Sequence, residues 1–276
     1  MIYHAISPEP PLDRFVESVF HLKGYQPEHS IERLVPDTRA SLVIELDGQE
    51  RWIADNETLK PVQMCRGSWV SGPHRRYFSI SALANTELLA VQFRVGGLFP
   101  LVQSPIDEIT DRVVDAQQLL GDSIVELREN LIRTESSEDK VRLAEQWLIR
   151  KMDVSLSPPT GIQQAIEAIV TRPSLETLSE CITDSGYSQK HVIHLFKKHV
   201  GYRPKDLQRV IRFAQAMAAI QAGEPIEWAM LSAECGYSDQ SHFIRDFKHF
   251  SGFTPTGFQD VGTDRVNFIP IKDEPG

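Results

Sequence analysis

The sequence predicts an α+β protein in two parts. A strand-rich N-terminal domain that also carries helices is followed by an all-helical domain. Three observations carry this prediction. Apolar residues alternate with period two at several places before residue 100, whereas beyond residue 161 they recur at helical spacing. The stretch DVSLSPPTG, residues 153–161, breaks both helix and sheet and separates the two patterns. Within the helical part, Gly186-Tyr187-Ser188 recurs as Gly236-Tyr237-Ser238, so that part contains a repeated unit.

The elements follow in order. Residues 11–22 have helical spacing. In residues 40–47, Leu42, Ile44 and Leu46 alternate and Gly48 follows, which reads as a strand and a turn. Shorter strands are expected at 51–53 and 77–80. In residues 88–95, Leu89, Val91, Phe93 and Val95 alternate up to Gly96-Gly97. Residues 107–133 read as two short helices split at Gly121-Asp122. Residues 138–152 read as a helix with Val141, Ala144, Leu148 and Met152 on one face. Strands first and helices later predict a small β-barrel with helices. Downstream, helices are expected at 161–171, at 174–183 with Ser174 as N-cap, and at 188–200. The long helix 204–222 has Pro204 in its first turn and Gly223 at its end, with Leu207, Val210, Ile211, Ala214, Met217 and Ala218 on one stripe. Helices at 225–234 and 238–251 complete the set. The boundaries are then 1–152 for the N-terminal domain, 153–160 for a linker, 161–260 for the helical domain and 261–276 for a C-terminal tail.

Composition narrows the function classes. With 41% hydrophobic and 24% charged residues, the 276-residue chain is of globular type. No stretch approaches the ~18 apolar residues of a membrane span. The start, Met1-Ile2-Tyr3-His4, has no signal-peptide pattern, so a cytoplasmic protein is expected. Cys65, Cys181 and Cys235 are odd in number and lack CxxC spacing, which indicates neither disulfides nor a zinc site. His4, His21, His29 and His74 include no HxH pair, so no metal, no cofactor and no catalytic role are expected. The net charge of −9 weighs against nucleic acid, but residues 160–260 hold ten Lys+Arg against eleven Asp+Glu. That part is near neutral, and a local patch governs binding more than the sum does.

After the repeated turn, matches run at a constant offset of 51: Gln189 with Gln240, Ile193 with Ile244, Phe196 with Phe247, Lys197 with Lys248, Gly201 with Gly252 and Pro204 with Pro255. The turn itself is offset by 50, so the second copy carries one extra residue. Each unit reads as a turn, a serine-capped helix (Ser188, Ser238) and a glycine stop, the pattern of a helix-turn-helix. One face of each helix is core: Val192, Leu195, Phe196 and Val200, then Phe243, Phe247 and Phe250. The opposite faces carry Gln189, Lys190, Ile193, His194 and Lys197, then Gln240, Ser241, Ile244, Arg245 and Lys248. Gln pairs bidentately with adenine and Arg with guanine, an outward isoleucine suits a thymine methyl, and lysines suit phosphates. On any single helix such a face is an ordinary solvated surface. Its recurrence at a fixed offset favours DNA contact. The connecting helix, about 28 Å long at 1.5 Å per residue, would set the two readers on adjacent major grooves, about 34 Å apart.

The segments GYSQKHVIHLFKKHVGYRP and GYSDQSHFIRDFKHFSGFTP, with Arg212, Phe213 and Ala216 between them, resemble the C-terminal DNA-binding domain of the AraC/XylS family of bacterial transcription regulators. The resemblance implies two helix-turn-helix subdomains with 188–200 and 238–251 as recognition helices, and double-stranded promoter DNA as partner. Ile182 stands where the family usually has alanine, Ser185 where an apolar residue is common, and Ile193 and His194 are less polar or less basic than many family readers. These departures point to the second unit as the main specificity element. The segments LVPDTRASLVIELDG, WVSGPHRRYF and LLAVQFRVGGLFPLV resemble the degenerate cupin-type sensor of one branch of the family. That likeness implies an effector-sensing or dimerising N-terminal domain, with RNA polymerase and a second copy as further candidate partners. The effector-binding residues are not indicated. Trp69, His74, Arg75 and Arg76 either line a pocket or are simply core and surface, and helix 138–152 is either a dimer face or intradomain packing. The rival reading is a ligand-binding or metal-dependent cupin-type protein whose helical domain is only an interaction module. Salt separates the two, because phosphate contact weakens steeply with added salt.

Overall fold

The computed structural model describes residues 1–173, 175–222, 226–261 and 267–271. The N-terminal strands are β1 (Ile2–Ile6), β2 (Val16–Tyr25), β3 (Ile31–Leu34), β4 (Ala40–Glu45), β5 (Arg51–Ala54), β6 (Pro61–Cys65), β7 (Ser68–Ser71), β8 (Phe78–Ser81), β9 (Thr86–Phe93) and β10 (Val113–Asp115). With them come α1 (Phe99–Val102), α2 (Ala116–Leu120), α3 (Ser123–Arg133) and α4 (Ser137–Lys151). The remainder is α5 (Thr160–Thr171), α6 (Leu175–Asp184), α7 (Gln189–Val200), α8 (Pro204–Gln221), α9 (Trp228–Glu234), α10 (Gln240–Ser251), α11 (Pro255–Val261) and a further strand, β11 (Phe268–Ile271). The architecture is α+β.

Two antiparallel sheets, in the orders β1-β2-β9-β4-β7-β10 and β11-β3-β8-β5-β6, meet across a small core of Ile53, Cys65, Trp69, Ile80 and Val113. The outer face of the first sheet is covered by α1 to α4. There Val16, Val19, Leu42, Val91 and Phe93 pack with Val141, Ala144, Trp147 and Leu148 in the largest N-terminal core. The apolar stripe of α4 is therefore used in intradomain packing, while Ile149 on its other side is exposed.

The helix expected at 11–22 is a single 3-10 turn, Leu12–Arg14, followed by β2. The cause is a β-bulge. The register of β2 on β9 shifts between Val16 and Ser18, so the strand carries an extra residue there. Val16 and Val19, three apart, then both sink into the same core and imitate helical spacing. The two helices expected within 107–133 exist as α2 and α3, split at Gly121, but β10 precedes them. The long helix α8 buries Leu207, Val210, Ile211 and Met217 as spaced. Ala218 is instead exposed, and Phe213, Ala216 and Ile220 are buried. The stripe is wider than expected because α5 packs on α8 from one side and α9 and α10 from another. Ser174, Gly223 and Pro225, expected as cap, stop and start, lie outside the described residues. The tail after residue 260 is not plain coil: β11 adds to the edge of the second sheet, with Ile269 fully buried opposite Arg33.

Candidate nucleic-acid interface

The first helix expected to read DNA is α7. Ser188, in extended conformation, caps it, its hydroxyl accepting from the His191 amide at 3.4 Å. Val192, Phe196, His199 and Val200 are buried, and Leu195 is half-buried against the same core. Gln189, Lys190 and His194 are exposed, and Ile193 and Lys197 are half-buried. Lys197 is not free. Its ammonium pairs with Asp107 of the N-terminal domain at 3.1 Å. Gly201 ends the helix at φ +83°.

The second is α10. Its expected serine cap is corrected by the structure: Asp239 caps it, accepting from the His242 amide at 2.8 Å. The extra residue after the repeated turn explains this, because Asp239 lies 51 positions after Ser188 and so holds the cap register. That amide bond holds the Asp239 carboxyl below its ordinary range. Phe243, Phe247 and Phe250 are buried against Phe213 and Phe258. Gln240, Ser241, Ile244, Arg245 and Lys248 are all exposed, and the Arg245 side chain folds back to donate to the Ser241 carbonyl at 3.3 Å. The five residues expected in each helix thus lie together on its outer side, apart from the N-domain contact of Lys197.

One repeated pair escapes the sequence reading. The Tyr187 and His191 rings lie tilted with centres 4.9 Å apart, and the Tyr237 and His242 rings meet edge-on at 5.4 Å. The signal is present, since His191 and His242 are also 51 apart. Asp246, which occupies the position of Leu195, escapes it as well. It is buried and accepts from Arg209 of α8 at 2.7 and 3.2 Å, pinning α10 to the connecting helix. Arg212, further along α8, donates to the Pro173 carbonyl at 2.7 Å.

Both α7 and α10 touch the N-terminal domain at their C-terminal ends. At α7, the Thr110 hydroxyl donates to the Gly201 carbonyl at 3.0 Å, and the buried Tyr202 hydroxyl donates to the His74 carbonyl at 2.6 Å. The His199 and Phe99 rings meet edge-on at 4.3 Å. A Cβ on Gly201 would lie 2.7 Å from Pro73 and 2.9 Å from Ile106, so only glycine fits this contact. Of the quartet Trp69, His74, Arg75 and Arg76, Trp69 belongs to the core between the sheets, and the His74 ring bonds Ser71 at 3.0 Å and packs on Phe78. Only Arg75 and Arg76 border an open cavity of about 360 Å³ on the seam between the domains, which Asp206, Arg209 and His249 complete. Among the described residues, no group of three or more His, Cys, Asp or Glu is placed to hold a metal ion, and no helix is long and apolar enough to cross a membrane.

Residues 182–260 match the helix-turn-helix domain family, and residues 4–115 match a family described as a domain of unknown function (DUF6597). Over 147 residues, 48% of this chain, the sequence is 26% identical to the arabinose operon regulatory protein of Escherichia coli strain K12. That alignment spans about half of the relative, 47% of its length. Among solved structures, ToxT from Vibrio cholerae is similar at TM-score 0.47 and 10% identity, over 88% of this chain and 98% of that one. ToxT with a bound unsaturated fatty acid is similar at TM-score 0.44 and 11% identity, over 93% and 96%. The repeated turn, the two helices capped at one register and the family match over residues 182–260 identify the C-terminal part as a helix-turn-helix domain, in a chain similar to the arabinose operon regulatory protein.

Proposed function

We propose that the protein is a sequence-specific DNA-binding transcription regulator that inserts α7 and α10 into two adjacent major grooves. One observation carries this reading: two helices, capped at the same register, present Gln, Ile and a basic residue at matching positions on their outer sides. The 18-residue helix that joins them spans about 27 Å, close to the ~34 Å between successive major grooves on one face of a duplex. Gln189, Lys190, Ile193, His194, Gln240, Ser241, Ile244 and Arg245 would meet base edges, while Lys197 and Lys248 would meet phosphates. The N-terminal domain would control occupancy, because it holds the ends of both readers. A small-molecule effector in the seam cavity would act on that hold, and contacts to RNA polymerase or a second copy would use other surfaces. This activity belongs to the cytoplasm of a bacterium and requires no catalysis. The test is selection of genomic fragments by the full-length protein beside the double variant Lys197→Ala/Arg245→Ala. The expected result is a compact motif spanning about two helical turns that the double variant loses. Equal enrichment by both proteins would overturn the assignment.

A further inference from the structure

The contact between the N-terminal domain and α10 centres on one residue, Arg33 of β3. Its guanidinium lies 4.1 Å from the centre of the Tyr77 ring, in its own domain, and 5.0 Å from that of Phe253, which follows α10. Nη1 donates to the Ser251 carbonyl at 3.2 Å. Ser251 is the last residue of α10, so the bond satisfies a terminal carbonyl and sets a cation at the negative end of the helix. Gly252 follows at φ +79°, where a Cβ would overlap the guanidinium and come within 2.9 Å of the Tyr77 ring. A second tie runs from the His249 ring to the Arg75 carbonyl at 3.1 Å.

The strand that carries Arg33 is itself held by a strand from beyond the helical domain. β11 pairs antiparallel along β3, with Ile269 opposite Arg33. The Val35 amide donates to the Asn267 carbonyl at 3.0 Å, and the Asn267 side chain donates to Asp37 at 3.0 Å. Arg33 is thus fixed from three directions: by β11 across the sheet, by Tyr77 within its domain, and by Phe253 and Ser251 at the end of the helix.

Resting on the reading of α7 and α10 as DNA readers, we propose that Arg33 is a positioning residue for α10: with β11 it makes the N-terminal domain a second strut, parallel to α8, that sets the distance and rotation between the two readers. Along the chain, α8 followed by the short α9 joins them. The docked ends of α7 and α10 close that linkage into a loop of contacts, and a closed loop resists twisting that a single rod permits. Arg33 acts on spacing, because its contacts are at Ser251 and Phe253, at and beyond the end of α10, and not on the outer face of that helix.

The test uses the selected operator with zero to five base pairs inserted between its half-sites. Each added pair rotates one half-site by roughly 35° on a helix of about 10 to 10.5 pairs per turn. Binding is measured for the full chain and for Arg33→Ala, Arg33→Lys and Ile269→Asp. The parent is expected to lose at least about tenfold in affinity at two inserted pairs (~1.4 kcal/mol). Arg33→Ala and Ile269→Asp are expected to lose less than about threefold at the same insertion, and Arg33→Lys, which keeps a donor and the charge, to restore part of the discrimination. A spacing profile in both disruptive variants identical to the parent's overturns the proposal. If the parent selects no operator, the DNA reading fails alone and amide exchange decides the strut. Arg33→Ala should then speed exchange at 247–254 and in β3 by at least about tenfold while α7 keeps its protection. Unchanged exchange, or loss of protection throughout both helices, overturns it.

Discussion

Replacing Asp107 by Asn should tighten DNA binding, and should do so only through Lys197. The ammonium of Lys197 and the carboxylate of Asp107 are 3.1 Å apart, with side chains 43% and 30% exposed. To reach a phosphate, Lys197 must give up this partner. A pair so open to solvent contributes about 0.2–1 kcal/mol, not the several kcal/mol of an unscreened contact. Releasing it in advance should therefore raise affinity by about 1.4- to 5-fold at ~0.1 M salt. Lys197→Ala should weaken binding to all sequences and lower the slope of log affinity against log salt by about 0.9, the value of one lost phosphate contact. The double variant Asp107→Asn/Lys197→Ala should bind like Lys197→Ala alone. Fluorescence anisotropy on the selected operator, from 50 to 200 mM salt, measures all four proteins. If Asp107→Asn tightens binding equally with and without Lys197, the gain is a general loss of negative charge and the reasoning is refuted.

Three further outcomes are expected. Arg245→Ala should cost about 1–3 kcal/mol on the preferred operator and flatten the preference at a single base position. Competition against a base-randomised operator library reads this, and an unchanged preference would remove Arg245 from the readers. Gly201→Ala should destabilise more than Gly48→Ala in urea denaturation. Both glycines have positive φ, which for alanine costs about 1–2 kcal/mol. A Cβ at Gly48 would stand in open space, whereas one at Gly201 meets Pro73, Thr110 and Ile106, adding about 1–3 kcal/mol of overpacking; equal losses would mean that the seam yields freely. Burial pushes His74 and His199 each down to about 4. Both stay neutral in the fold but take up a proton near pH 6.5 when unfolded. Stability is therefore full above about pH 6.5 and falls as pH drops toward 4, by up to about 1.4 kcal/mol per unit for each group. His199→Gln should show a shallower fall, and a slope equal to the parent's would rule out the buried imidazole as a cause.

What can be read from the residues alone is whatever the chain states locally or states twice. The phenylalanines of α10 stand at helical spacing beside polar neighbours, and the fixed offset of 51 aligns α7 with α10 by sequence alone. β4 and β9 alternate cleanly because each has one face in the large core. β2 misleads because its bulge places two core valines three residues apart. β3 and β7 are buried along three successive residues and β6 is exposed along four, so none of them alternates. The serine cap expected for α10 moves to Asp239 because the inserted residue falls between the turn and the helix. The seam is invisible for a different reason: Arg33 and Ser251 are 218 positions apart, and nothing in the sequence around either foretells the other.

The pairing of β11 with β3 also bears on synthesis. β3 ends at Leu34, yet β11, its partner on this edge, begins at Phe268. At about 5–20 residues per second, some 12–47 s pass between the two on the ribosome. Through that interval β3 is a nascent edge with open amides and carbonyls, the kind of edge that recruits strands from other chains. Completion of the second sheet thus waits until the whole helical domain has been translated. A polypeptide cut short anywhere in that domain would carry this edge uncovered, which marks it for chaperones and proteases.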